Sequence, residues 1–110
     1  MLIRSHQERR EGMIGYVTLG SNDLDRATAF YDALLETIGA KRTFTNARFR
    51  TWAKGPAEPV LAVCTPFDEK AATVGNGVMV ALVMESRADV DRVYAKAIEL
   101  GAADEGPAGP

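Results

Sequence analysis

Residues 16–40 read YVTLGSNDLDRATAFYDALLETIGA, and residues 78–102 read VMVALVMESRADVDRVYAKAIELGA. Each stretch opens on a two-residue apolar period and passes through a turn into a 3.6-residue period, the pattern of a strand feeding a helix. Tyr16 matches Met79 and Gly39 matches Gly101, at offsets of 63 and 62 residues by subtraction. A one-residue difference in the intervening loops reconciles them, so the chain reads as a duplicated unit. Further strand candidates follow the first helix. After the second, the sequence reaches Gly106-Pro107-Ala108-Gly109-Pro110, and the second unit is expected to be incomplete in this chain.

Within the first unit, residues 13–19 place Val17 and Leu19 on one face and Ile14, Tyr16 and Thr18 on the other. Both faces are substantially apolar, which predicts a strand covered on both sides, with the helix on the Val17/Leu19 face. Asn22 is the expected N-cap, with Asp23 and Asp25 in the first turn, where the helix dipole favours negative charge. Leu24, Ala27, Tyr31, Leu34, Leu35 and Ile38 form the apolar stripe, and Gly39 can take the left-handed conformation that ends the helix.

Phe44, Phe49, Thr51 and Trp52, with turn-prone Asn46 between them, predict a hairpin closed by Gly55-Pro56. The run PVLAVCT is a short apolar strand ended by Pro66. Residues 67–77 read as a loop, with a short helical turn around Ala71 and Ala72 and a tight turn at Gly75-Asn76-Gly77. That glycine turn lacks the spacing of a phosphate loop and precedes a strand rather than a helix. Residues 78–84 repeat the role of the first strand. Ser86 followed by Asp89 then resembles a capping box, Val90, Val93, Tyr94, Ala97, Ile98 and Leu100 supply the helix's apolar side, and Gly101 stops it.

With 110 residues, 46% of them hydrophobic, the chain can bury one core. Thirteen Lys+Arg against fifteen Asp+Glu give a formal charge of −2, and scattered basic residues argue against a nucleic-acid surface. The single cysteine, Cys64, rules out an internal disulfide and fits a reducing compartment. No apolar stretch reaches the roughly 20 residues of a membrane span, so a cytoplasmic protein with no membrane partner is expected. Residues 1–12 read as an N-terminal leader or arm without sustained period, and the one histidine, His6, reads as a solvated residue of that arm.

The chain resembles the vicinal-oxygen-chelate superfamily, which includes glyoxalase I, extradiol dioxygenases and bleomycin-resistance proteins. The resemblance covers residues 13–110 and rests on the opening strand followed by DLDRATAFYDALLETIGA, on GNGVMVALVMESRADVDRVYAKAIELGA, and on the ending DEGPAGP. It implies an α+β fold of paired βαβββ modules curled around a concave site: residues 13–74 as the first module, and residues 75–110 as the strand and helix that begin the second. Metal-using members usually place a histidine at the position matched by Tyr16 and another ligand at that of Met79. Glyoxalase I members add a carboxylate near Ala62, and a further Glu comes from the final strands. Tyr16, Met79 and Ala62 are poor donors or none for a hard divalent cation, so no metal and no other cofactor is expected.

By that alignment Tyr16 and Met79 face the cavity. The Tyr16 phenol fits either a hydrogen bond to a ligand oxygen or an ordinary core role, and Met79 fits passive lining or core filler. Arg48 and Arg50 share a strand face with Trp52 if the strand is regular; a cation beside an aromatic suits a carboxylate or planar ligand, while exposed arginines also guard an edge strand. Cys64, among Val60, Leu61, Ala62 and Val63, reads as a buried thiol. The expected ligand-binding set is Tyr16, Thr18, Arg50, Trp52 and Met79. The expected function is binding of a small organic molecule in a metal-free cleft, by a homodimer. The alternatives are a metal-dependent glyoxalase-type lyase, isomerase or dioxygenase, and a non-catalytic scaffold.

Overall fold

An apolar strand face has to be covered by another element, and this requirement organises the first unit. The computed structural model describes residues 13–73 and 75–103. Its elements are β1 (Tyr16–Gly20), α1 (Leu24–Glu36), β2 (Lys41–Thr45), β3 (Phe49–Ala53), β4 (Val60–Cys64) and α2 (Arg87–Glu99). The four strands form one sheet in the order β1-β4-β3-β2. β1 runs parallel to β4, with Tyr16 opposite Val60 and Thr18 opposite Ala62; β3 is antiparallel to both neighbours, with Phe49 opposite Cys64 and Thr51 opposite Ala62. A parallel pair needs a crossover, supplied here by α1 and the β2–β3 hairpin. This is the βαβββ arrangement expected from the sequence.

The core lies between α1 and one face of the sheet. Leu35, Ala40, Trp52 and Val63 form its buried centre, with Leu19, Leu24, Ala27, Tyr31, Ile38 and Leu61 packed against it. Leu19 therefore sits on the helix face, as its alternation with Thr18 requires. The Tyr16/Thr18 face is not covered: both residues are exposed, which corrects the expectation of a strand buried on both sides.

The N-cap of α1 is Asp23, whose Oδ1 accepts from Arg26 N at 3.1 Å, in place of Asn22. Asn22 is used elsewhere: its Oδ1 accepts from Ala72 N at 2.6 Å and its Nδ2 donates to Ala72 O at 3.1 Å. Of the two adjacent cap formers, only the amide can both accept from the backbone N–H and donate to the backbone carbonyl of one residue. At the far end of α1, Gly39 takes φ 83° and turns the chain into β2.

The hairpin forms as expected, with Asn46 Oδ1 accepting from Arg48 N and Phe49 N, each at 2.8 Å. β4 ends before Pro66. Residues 67–73 and 75–77 are loop, without the short helical turn expected at Ala71 and Ala72.

Residues 78–84 differ from their counterpart β1. They join no strand ladder among the described residues, and Met79 is 86% exposed. Apolar alternation selects an extended conformation, whereas a strand also needs a neighbouring backbone to bond. α2 forms regardless, because its signals are local. Ser86 Oγ accepts from Asp89 N at 3.1 Å, while the Asp89 carboxylate meets Arg92 at 2.9 Å. Arg92 also donates to Thr37 O at 3.0 Å, tying α2 to the end of α1. The 1–12 leader with His6 and the DEGPAGP ending lie outside the described residues.

Candidate functional site

The uncovered sheet face carries Tyr16, Thr18 and Gly20 from β1, Val60, Ala62 and Cys64 from β4, and Phe49 and Thr51 from β3, by strand alternation and register. The chain after β4 folds back over one end of it. Thr65 N donates to Arg48 O at 3.0 Å, Arg48 Nη2 donates to Thr65 O at 3.0 Å, and seven residues on, Asn22 bonds both the backbone N–H and the carbonyl of Ala72. Gly20 lets this strap approach closely: a Cβ there would lie 3.1 Å from Ala72 Cβ, a tight contact that the strap would have to ease by a few tenths of an ångström.

Strap and sheet enclose an open cleft of about 650 Å³, lined among others by Thr18, Arg48, Phe49, Cys64 and Phe67. That volume lies within the roughly 300–1,000 Å³ of small-molecule sites. The walls are mainly apolar. Arg48 is half-buried, with its guanidinium carbon 5.3 Å from the Phe49 ring centroid and 5.5 Å from that of Phe67. Its Nε is buried and has no hydrogen-bond acceptor among the described residues. Cys64 is a buried free thiol beside it.

The expected ligand-binding residues fall into three places. Tyr16 and Thr18 share the open face, and Thr18 lines the cleft. Arg50 and Trp52 lie on the opposite, helix-covered face. Trp52 is 2% exposed in the core, with Nε1 donating to Asp32 Oδ1 at 2.8 Å. Arg50 is directed toward Asn46 O and Asp25. The two do share a face, as their spacing requires, but it is not that of Tyr16. Met79 stands in the unpaired segment.

Arg48 and Arg50 also do not flank an edge, since β3 is an inner strand of the sheet. Sequence reasoning set Arg48 on one face with Arg50 and Trp52, but Arg48 precedes β3 and lies in the cleft with Phe49 and Phe67 instead. The available signal was the Asn46 turn, which fixes where β3 begins and hence that Phe49 faces Cys64.

No group of three or more His, Cys, Asp or Glu capable of holding a metal occurs among the described residues. Ala62 is 1% exposed between Thr18 and Thr51 in register. The donor chemistry of Tyr16, Ala62 and Met79 does not fit the divalent ion of metal-using relatives. No helix of the described residues is long and apolar enough to cross a membrane.

No family model matches the chain, and no curated protein does. Among solved structures, the chain is similar to a glyoxalase/bleomycin resistance protein from Albidiferax ferrireducens T118, with 32% identity and a TM-score of 0.75 over 82% of this chain and 73% of that one.

Proposed function

The chain belongs to the glyoxalase/bleomycin resistance family, and from that premise we propose that it binds a small organic molecule in the strap-covered cleft, without a metal. The observation that carries this reading is the cleft itself: apolar walls with a few polar groups converging on them, on the sheet face that α1 leaves open. Nothing in the donor set calls for a metal-routed reaction, and we assign no lyase, isomerase or dioxygenase step.

A homodimer is part of the same proposal. The open face and residues 78–84 leave apolar side chains exposed, and residues 78–84 join no strand ladder among the described residues; a second copy can cover the first and pair with the second. The buried thiol of Cys64 fits a cytoplasmic setting.

The test is a thermal-shift screen of the full chain in chelator against small organic molecules, with elemental analysis alongside. A compound that binds only the native state raises its melting temperature. The reading predicts such a compound with metal absent. If stabilisation appears only when about one metal per chain is restored, the metal-dependent alternative replaces it.

A further inference from the structure

Arg48 combines features that a merely structural arginine would not need. Among the described residues it makes no ion pair, and its buried Nε–H lacks an acceptor. A buried donor without a partner leaves its desolvation uncompensated. Its position is nevertheless fixed, by the Thr65 carbonyl and by the Phe49 ring. The one carboxylate in the cleft wall among the described residues, Asp68, is turned to its own loop, accepting from Lys70 N at 2.9 Å.

We propose that Arg48 is the recognition residue for a small planar carboxylate, deepening the reading of the cleft as a small-molecule site, on which this inference rests. The guanidinium offers in-plane N–H donors matched to a carboxylate. Phe67, 89% exposed with its ring centroid 5.5 Å from the guanidinium carbon, is the movable cover: its ring turns aside to admit the carboxylate and packs against the ligand's flat apolar body. Thr18 and Cys64 floor the cleft beneath that body. Asp68 selects a singly charged anion, because a dianion beside it meets stronger repulsion.

The experiment titrates the full chain with benzoate, its neutral isostere benzamide, and the dianion phenyl phosphate, followed by amide and arginine Nε–H resonances. Benzoate is expected to shift Thr18, Phe49, Phe67 and the Arg48 Nε–H, and to bind about tenfold or more tightly than the other two. Arg48→Lys should reduce benzoate binding by about tenfold or more, and Phe67→Ala should weaken all three probes. The benzoate-to-benzamide ratio in the unaltered protein decides the matter even if Arg48→Lys fails to fold. Benzamide binding in the cleft as tightly as benzoate would overturn the role of Arg48 while leaving the cleft as a small-molecule site. Phenyl phosphate outbinding benzoate there would overturn the choice of a single charge. If no probe moves any of these residues, the carboxylate proposal fails; if the broader screen also finds no ligand, the small-molecule reading fails with it.

Discussion

The two halves of this chain carry the same local instructions and reach different outcomes. In residues 16–40, strand and helix close on a four-stranded sheet, and α1 buries Thr28, Leu34 and Leu35. In residues 78–102 the helix forms to the same length, yet α2 buries no residue completely and the preceding segment pairs with nothing described. Caps and periodicity suffice for a helix in its structural setting; a strand is completed only by a neighbour. The sheet has one face filled by α1 and the other uncovered, and it is on the uncovered face that the cleft lies.

Core substitutions should separate the halves most strongly. Trp52→Ala removes a ring packed 5.5 Å from Tyr31 and the indole donor to Asp32, and should cost about 3–5 kcal/mol. Leu82→Ala, in the unpaired segment at the position that matches Leu19 of β1, should stay within about 0.5 kcal/mol. Urea unfolding of both proteins at a concentration where the chain is monomeric makes the measurement, and comparable losses would show residues 78–84 to be structurally engaged.

The helix caps should behave alike in both halves, because they depend on local geometry. Asp23→Ala and Ser86→Ala each remove a side-chain acceptor from a helix N-terminus, at a cost of about 1 kcal/mol. In the second case the loss should appear as fraying of α2, read by residue-resolved exchange, while β4 stays protected.

Across the sheet, a change on the open face should alter binding more than folding. Tyr16→Phe nearly conserves volume, so the melting temperature should hold, while affinity for a ligand reaching the phenol should fall by the roughly 0.5–1.5 kcal/mol of a neutral hydrogen bond. Equal affinity by calorimetry would remove Tyr16 from the site.

The helix face has a smaller signature in alkali. Burial raises the Tyr31 phenol above its ordinary pKa of about 10, so the unfolded chain ionises first. The stability this contributes is complete below about pH 10 and is lost as pH rises through the folded-state value. Tyr31→Phe should flatten that alkaline decline in a pH series of unfolding curves.

Much of this architecture was legible because it is local. The Leu19/Thr18 alternation placed α1, Asn46 placed the hairpin, and Gly39 and Gly101 ended the helices. What escaped depends on contacts between distant segments. Asn22 and Asp23 are equivalent as caps until Ala72 arrives to occupy Asn22. Arg50 and Trp52 were correctly paired with each other, but the side of the sheet they face follows from the registers of β3 and β4. Arg48 becomes part of a site only when residues 65–72 fold back beside it, and that loop has no periodicity to announce its path. Residues 78–84 carried the right alternation for a strand, and alternation cannot reveal whether a partner is present.

Amide hydrogen exchange in dilute, monomeric protein tests the comparison most directly. Strongly protected amides in β4, with residues 78–84 exchanging near the rate of an unstructured chain, are the predicted result. Protection of residues 78–84 equal to that of β4 under the same conditions would contradict it, because the segment would then have found its partner within its own chain.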